Sequence, residues 1–370
     1  MLTEAGSLER QRRLRELLAA QRLDAVVLTD YRDIYYFTGT LPPQRYPVCM
    51  LMRTDGGSWL VATTDKHVGC VDECLTYEWN KLGTLNFDPL EQVVGVVGQR
   101  AAGESRVSRL GWQAEAVPGM LVNTLDRFLG PDEWVAIDAP LRDMQSRKDA
   151  DEVDVIRTAI KANLGAYDAV REAIAPGVCE LDVLAAGFRG AMSTAGEKVF
   201  HDGDYQSGVP GGPARNRRIE AGEIYIVDAW TVYRGYWSDL CRAFLVGDQP
   251  TDLQQSIFDH IASLQRWAGE MLKPGLKGTQ LWKAMDERVR EHPALADVGL
   301  PHHAGHGTGL RAHTEPDLNR DREGILEPGN VVSVEPGAYI PEARGGVRLE
   351  NTYLITETGA ELLSDYPMEL

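Results

Sequence analysis

The stretch IYIVDAWTVYRGYWSDLCRAF (224–244) decides the fold of the larger part of this chain. Two apolar runs flank a turn at Arg234 and Gly235, and two such runs joined by a short turn predict a β-hairpin. Asp228 is expected to end the first strand, and Asp239 follows eleven positions later on the second. If the two strands pair, both carboxylates can point into one pocket.

Two more acids follow the same pattern farther along the chain. Glu335 ends the apolar strand VVSV (331–334), directly before a Pro-Gly turn, and Glu350 stands fifteen residues later at the start of NTYLIT. That separation is again the length of a hairpin. An acid at the end of a buried strand is costly unless a partner compensates it, so the four carboxylates are expected to share one site.

The histidines point to the same region, since four of the eight lie in PHHAGHGTGLRAHTEP (301–316). Four clustered carboxylates cannot all ionise near neutral pH without cations, and two divalent ions would cancel their charge. With the imidazole of His306, such a ligand set suits manganese, cobalt, zinc or iron. Two adjacent metals activate a water and polarise a carbonyl for amide hydrolysis. The alternative is that each acid caps a turn or faces solvent.

Composition limits the class of protein. A chain of 370 residues with 43% hydrophobic content is long enough for two domains. Its 55 acidic and 38 basic residues, net charge -17, oppose nucleic acid and anionic membranes as partners. The five cysteines form no CxxC pair, the charged amino terminus lacks a secretory apolar region, and no apolar run reaches the roughly 18 residues that span a bilayer. These features predict a cytoplasmic protein without membrane contact.

Two domains of different texture are predicted. Residues 1–145 alternate short strands with helices, which indicates a small α/β domain. The polar stretch RDMQSRKDADEVD (142–154) has the composition of a linker that runs into a charged first helical turn, and residues 150–370 indicate an α+β catalytic domain. Strands of the first domain are expected at 24–28, 48–52, 58–62 and 133–138, with helices at 8–20, 89–101 and 117–129. Helices of the second are expected at 151–175, 180–195, 253–272 and 279–291, with strands at 223–229, 242–246, 331–335 and 351–356.

The second half of the chain contains four motifs: DAWTVYRGYWSDLCRAF (228–244), GHGTGLRAH (305–313), VEPGAY (334–339) and GVRLENTYLIT (346–356). With these motifs the chain resembles the pita-bread metallopeptidases, which include aminopeptidase P, prolidase, methionine aminopeptidase and creatinase. The resemblance implies a pita-bread catalytic domain preceded by a creatinase-type amino-terminal domain. It also implies a homodimeric Xaa-Pro dipeptidase or aminopeptidase that acts on small peptides with two divalent metal ions, Mn, Zn or Co.

The resemblance assigns all five metal ligands to residues of this chain. Asp239 and Glu350 would bridge the two metals. Asp228 would bind one of them, and His306 and Glu335 would bind the other.

The resemblance also assigns catalytic roles. Glu335 would move the proton from the attacking water to the leaving nitrogen, and His313 would stabilise the tetrahedral intermediate. His302 would line the substrate site, and Arg348 would lie near the substrate. His303 is expected to be a bystander on the other side of its strand.

Three departures from the family pattern affect the expected substrate. Gly211 stands where family peptidases carry a substrate-contacting histidine, Trp230 where they carry glycine, and Cys241 where they carry threonine. These changes leave the metal ligands in place but alter the wall of the substrate-binding site. A metal-dependent member that acts on a non-peptide small molecule, as a C–N hydrolase or lyase, is therefore the alternative to a peptidase. A catalytically inactive binding module is disfavoured by the intact ligand set.

Two residues are candidates for replacing the missing histidine. His201 and Tyr205 lie in FHDGDY (200–205), the nearest polar segment before Gly211. They are expected either to contact the substrate or to be loop residues that face water.

Overall fold

The computed structural model describes residues 1–64, 69–85, 87–247 and 249–370, which divide into the units Met1–Arg142 and Asp143–Leu370. The strands of the first unit are β1 (Ala25–Leu28), β2 (Cys49–Arg53), β3 (Ser58–Ala62), β4 (Glu73–Thr76), β5 (Asn80–Lys81), β6 (Thr84–Leu85), β7 (Arg109–Trp112) and β8 (Glu133–Ala136). β5 and β6 pair with each other, and the others form one mixed sheet in the order β4-β3-β2-β1-β7-β8. The four predicted strands are confirmed, whereas the short strands β4, β5, β6 and β7 were missed.

The helices of the first unit include one that the sequence pattern did not predict. They are α1 (Glu4–Ala20), α2 (Tyr31–Thr38), α3 (Pro89–Ala101) and α4 (Gly119–Leu129). α2 has eight residues, too few to display helical periodicity. Its ends follow ordinary rules, since the Asp30 side chain accepts from the Arg32 backbone N–H and Gly39 stops the helix at φ 71°. The predictions for α1, α3 and α4 are confirmed.

The second unit contains two main sheets. β9 (Phe200–Ser207), β10 (Ile224–Tyr233) and β11 (Tyr236–Leu245) form the first, in the order β11-β10-β9. The remaining strands are β12 (Gly305–Gly307), β13 (Thr314–Leu318), β14 (Val331–Val334), β15 (Gly337–Ile340), β16 (Gly345–Arg348), β17 (Asn351–Ile355) and β18 (Ala360–Leu362). Five of these form the second sheet, in the order β13-β12-β14-β17-β18, and β15 pairs with β16.

Each main sheet is covered by a pair of helices. The remaining helices are α5 (Asp138–Ser146), α6 (Ala150–Ala173), α7 (Glu180–Ala195), α8 (Asp252–Met271) and α9 (Gly278–Val289). α6 and α7 share a core with the three-stranded sheet, and α8 and α9 share one with the five-stranded sheet. The four predicted helices are confirmed. Among the helices that the structure describes, none is both long and apolar enough to cross a membrane.

The polar stretch 142–154 is largely helical rather than an extended linker, but it does run into a charged first helical turn, as predicted. Residues up to Ser146 belong to α5 and residues from Ala150 belong to α6. The charged residues between them start the second helix: Asp149 and Glu152 form a capping box, in which the Asp149 backbone N–H donates to Glu152 Oε2 at 2.9 Å. The polar run therefore encodes a helix boundary.

The hairpin with the first two acids is confirmed, with one correction. β10 and β11 pair along their whole lengths, so only Arg234 and Gly235 form the turn. Both residues have positive φ angles, 47° and 86°, as a type I′ turn requires. Asp228 does not end its strand as predicted: it lies inside β10, opposite Cys241, because the strand continues to Tyr233.

The second pair of acids is joined by a more elaborate hairpin than predicted. β14 and β17 pair antiparallel, with Val334 opposite Asn351, which places Glu335 and Glu350 at the same end of the sheet. The intervening residues form a second hairpin, β15 with β16. The sequence spacing therefore predicted the pairing but not the inserted hairpin.

A buried arginine connects the carboxyl-terminal tail to these strands. Arg242 is 1% exposed and donates to the carbonyl oxygens of Glu350 (2.6 Å), Tyr366 (2.6 Å) and Pro367 (3.0 Å). It also donates to Asn351 Oδ1 at 2.9 Å. A single guanidinium thus satisfies acceptors from two separate segments, 350–351 and 366–367.

Arg242→Ala is expected to lower the free energy of unfolding by about 4 kcal/mol, because several buried acceptors would lose their donor. Urea unfolding of the metal-free protein, followed by circular dichroism, measures this change. Arg171→Ala is the matched control, because Arg171 also contacts the tail, through Glu369 at 2.5 Å, but both side chains are exposed. Its expected change is below about 0.5 kcal/mol. Equal losses in the two variants would contradict the role of Arg242.

Candidate metal centre

Asp228 and Asp239 project from the same face of the β10–β11 hairpin. Trp230 lies opposite Asp239 in the register, so Asp228, two residues before Trp230, is the diagonal neighbour of Asp239 on that face. Ligand atoms of Asp228, Asp239 and Glu350 all lie within 4.8 Å of one another. Glu350 is 1% exposed. The structure therefore brings these three predicted ligands together.

The other two predicted ligands complete a second group around Glu350. The ligand atoms of this group, one each from His306, Glu335 and Glu350, all lie within 4.8 Å of one another. His306 Nε2 is 3.7 Å from Asp239 Oδ2 and 3.7 Å from Glu335 Oε1. β12 places His306 there because it pairs with β14, whose end carries Glu335.

The backbone sets the tautomer of His306. Its Nδ1 is 2.9 Å from the carbonyl oxygen of Gly307, which can only accept, so Nδ1 carries the proton. Burial lowers the pKa of His306 to about 3, which keeps the ring neutral. The Nε2 lone pair therefore faces the carboxylates, as a metal ligand requires.

The described residues around the site supply too little positive charge to compensate its buried carboxylates. Burial, and then repulsion from Asp228, raises the pKa of Glu335 to about 8. Burial and the neighbouring carboxylates also raise the pKa of Asp239 and of Glu350 well above the usual range. Glu350 Oε1 is buried and has no hydrogen-bond partner within the part of the chain that the structure describes. Four carboxylates, one neutral imidazole and an orphaned buried oxygen fit divalent cations.

Arg348 contributes the positive charge that the site does contain. Its Nη2 lies 2.6 Å from Asp228 Oδ2 and 2.8 Å from Asp204 Oδ2. Burial is the largest single influence and opposes the charged form of Arg348, but the neighbouring acidic groups, Asp228 first among them, together outweigh it and raise the pKa of Arg348. Asp204 lies in β9 directly opposite Asp228, so the guanidinium spans two neighbouring strands. Arg348 therefore lies beside the proposed ligand Asp228.

The position of the missing family histidine is next to this ion pair. A Cβ added to Gly211 would lie 2.6 Å from Asp204 Oδ2 and 3.4 Å from Arg348 Nη2. The φ angle of Gly211 is 138°, which side chains rarely adopt. Asp204 and Arg348 therefore occupy the space that a side chain at Gly211 would need.

Both expectations for His201 and Tyr205 are wrong. The two residues are buried in β9, where they neither face water nor line the cavity of the site. His201 contacts Tyr205 Oη through Nε2 (2.7 Å) and Thr231 Oγ1 through Nδ1 (2.8 Å). Strand alternation explains the error, because they lie on the face of β9 opposite to Asp204.

Three of the predicted catalytic residues line one cavity of about 380 Å³ with the predicted ligands. His313 stacks on His306 with ring centroids 3.7 Å apart. His302 donates from Nδ1 to the His303 carbonyl oxygen (2.7 Å), so its Nε2 accepts from Tyr339 Oη (2.9 Å). Tyr339 Oη in turn accepts from Arg348 Nη1 at 2.9 Å. His302, His313 and Arg348 are thus in the cavity wall.

The expectation that His303 is a bystander is wrong. His303 lines the same cavity, and its Nδ1 lies 3.3 Å from Glu335 Oε1. Its ring is 5.6 Å from that of His313 and 5.5 Å from that of His306. β12 begins at Gly305, so His303 lies outside the strand and the alternation on which the expectation depended does not apply to it.

Sequence reasoning missed Asp204 and Tyr339. Side chains alternate between the two faces of a strand. Had HDGDY (201–205) been assigned to a third strand, this rule would have allowed Asp204 to be placed beside Asp228. Tyr339 lies in the quoted motif VEPGAY, but nothing in its spacing predicts a contact with His302.

Known proteins resemble this chain in sequence and in fold. The model of metallopeptidase family M24 matches residues 154–357, and that of the creatinase/prolidase N-terminal domain matches residues 10–145. An Xaa-Pro dipeptidase of Pyrococcus horikoshii is 30% identical, and the match covers 98% of each chain. One of Pyrococcus furiosus is 29% identical, over 98% of this chain and 99% of that protein. The crystal structure of the P. horikoshii prolidase has a TM-score of 0.79 at 27% identity, over 98% of this chain and 99% of the other.

The chain belongs to metallopeptidase family M24. The predicted pita-bread domain, the creatinase-type amino-terminal domain and the assignment as a metallopeptidase are confirmed. Membership of the family implies divalent metal ions, and the carboxylates and His306 are groups that could hold them.

Proposed function

We propose that this chain is an Xaa-Pro peptidase, a dipeptidase or aminopeptidase, with two divalent metal ions bound by Asp228, Asp239, His306, Glu335 and Glu350. The observation that supports this proposal best is the arrangement of these ligands in two groups that share Glu350, one with Asp228 and Asp239 and one with His306 and Glu335. The names of the Pyrococcus relatives, Xaa-Pro dipeptidase, support the substrate class.

The charges support two ions rather than one. Asp204 and Arg348 form an ion pair and compensate each other. The four ligand carboxylates then carry four negative charges, which two divalent ions neutralise, whereas one ion would leave two negative charges buried. The ligand chemistry admits manganese, cobalt or zinc.

Each step of the proposed reaction can be assigned to a residue of the site. Two divalent ions would supply an activated water and a polarised scissile carbonyl. Glu335 accepts the proton of the attacking water and passes it to the proline nitrogen as the C–N bond breaks. His313, stacked on His306, stabilises the oxyanion of the tetrahedral intermediate. Arg348 is held by Asp204 and Tyr339 and lies near the substrate.

Four other expectations remain proposals. The enzyme is cytoplasmic, it forms a homodimer, and its domains extend over 1–145 and 150–370. Its partner is a small peptide rather than a nucleic acid or a membrane.

The purified protein is expected to hydrolyse Xaa-Pro dipeptides or tripeptides when supplied with manganese, cobalt or zinc. Hydrolysis of Leu-Pro and Ala-Pro-Gly is compared with that of Leu-Ala and Ala-Ala-Gly, and kcat/KM is expected to favour the proline substrates at least about tenfold. Asp239→Ala, purified identically, controls for contaminating peptidases. A protein with full metal content that cleaves no Xaa-Pro bond would contradict the peptidase and favour the non-peptide alternative.

A further inference from the structure

An aromatic cluster extends the cavity beyond the proposed ligands. Trp230 and Trp237 both line the cavity, with ring centroids 6.2 Å apart and planes tilted by 42°. Phe200 packs against Trp237 with ring centroids 6.3 Å apart, and Phe200 itself is 53% exposed. We call Trp230 and Trp237 the tryptophan wall.

Strand alternation places the tryptophan wall next to the ligands. Asp228 and Trp230 are two residues apart on β10, and Trp237 and Asp239 are two residues apart on β11, so all four side chains lie on one face of the hairpin. Trp230 is directly opposite Asp239 in the register. The wall therefore begins where the ligands end, on the side of the Arg234-Gly235 turn.

The wall is also fixed in place by neighbouring structure. The Trp237 backbone N–H donates to the Gly309 carbonyl oxygen at 2.8 Å, which joins the hairpin to the loop that carries His313. Trp230 Nε1 is buried without a hydrogen-bond partner in the described part of the chain, so packing rather than a hydrogen bond positions this indole. Both indoles thus present apolar surface to the cavity.

The proposed reaction determines which part of the substrate meets this wall. Glu335 must reach the proline nitrogen to protonate it, so proline lies on the side of Glu335 and its neighbour His303. The residue before proline extends from the scissile carbonyl in the opposite direction. Trp230 and Trp237 line the cavity from the β10–β11 hairpin, next to Asp228 and Asp239, whereas Glu335 lines it from the end of β14.

We propose that the tryptophan wall binds the side chain of the residue before proline and makes the enzyme prefer large apolar residues there. This inference rests on the proposed function and specifies its substrate class. An apolar side chain between two indoles is removed from water, whereas glycine leaves the indole surface uncovered. A lysine or arginine side chain would approach Arg348, which already lies in the cavity.

The experiment compares kcat/KM for Leu-Pro, Phe-Pro, Lys-Pro and Gly-Pro. Wild type is expected to favour Leu-Pro over Gly-Pro by at least about tenfold. Trp230→Ala is expected to reduce this ratio to below about threefold, chiefly through the loss with Leu-Pro, and Trp230→Phe to retain most of it. Phe200→Ala is the matched control: Phe200 belongs to the same cluster but does not line the cavity, so the ratio should change by less than about twofold.

A binding measurement removes the dependence on turnover. Calorimetric titration of the metal-loaded Glu335→Gln variant is expected to show tighter binding of Leu-Pro than of Gly-Pro. In the double variant that also carries Trp230→Ala, the two dissociation constants should become equal. Circular dichroism and metal content check that the variants fold.

The outcomes separate the two proposals. An unchanged Leu-Pro to Gly-Pro ratio in Trp230→Ala, or a wild-type preference for Lys-Pro, overturns the tryptophan wall and leaves the peptidase intact. Absence of cleavage and of binding for all four dipeptides overturns both.

Discussion

Glu335→Gln is expected to lower kcat for an Xaa-Pro substrate by roughly 10⁴-fold while the fold is preserved. The substitution removes a ligand charge and also the proposed proton carrier, and general acid–base catalysis alone contributes about 10²–10⁴. Glutamine has nearly the same shape, so the end of β14 should keep its packing. Steady-state kinetics with Leu-Pro measures the effect, and circular dichroism checks the fold.

His313→Ala provides the contrast for this prediction. Loss of one group that stabilises an oxyanion costs roughly 10²–10³-fold in kcat, so the two variants should differ by at least about tenfold. His313 lies on the face of the His306 ring rather than at the end of β14. Small and equal losses in both variants would show that the roles assigned to Glu335 and His313 are wrong.

Asp239→Ala is expected to abolish most metal binding and most activity. Besides the shared Glu350, Asp239 also approaches both groups, since it lies within 4.8 Å of Asp228 and Glu350 and its Oδ2 is 3.7 Å from His306 Nε2. Wild type should contain close to two divalent ions per chain, because that number neutralises the buried carboxylates. Elemental analysis after mild dialysis against metal-free buffer gives the metal content of both proteins.

Asp202→Asn is the matched control for the loss of metal. Asp202 lies on β9 opposite Trp230, on the same face of the sheet as the ligands, but belongs to none of the ligand groups. Its metal content should equal that of wild type. The two-metal proposal fails if neither wild type nor Asp239→Ala holds any metal.

The features that sequence predicted are those encoded locally. The hairpin of Asp228 and Asp239 needs only two apolar runs and a turn between them, and all of these are adjacent in the chain. The ligands Glu335 and Glu350 could be placed for the same reason, because β14 and β17 are close in sequence. Even there, the inserted hairpin could not be read from the spacing alone.

The features that sequence missed depend on pairing between distant segments. Asp204 reaches Asp228 only because β9 joins β10 across the intervening loop, and the polar segment FHDGDYQS lacks the apolar alternation of a strand. His303 was misplaced because a face can be assigned only where a regular strand exists. The two errors share one cause, which is that the orientation of a side chain follows from its neighbours in space.

The crowding beside Gly211 has an evolutionary consequence. A side chain at this position would meet the Asp204 carboxylate at 2.6 Å, and the backbone there has a φ of 138°. A histidine introduced at position 211 would displace the Asp204 carboxylate and would have to adopt a backbone conformation that side chains rarely take. A substitution at position 211 would therefore also disturb the ion pair of Asp204 with Arg348. The absence of the histidine is thus difficult to reverse, and later changes in specificity would more readily arise at other positions of the cavity.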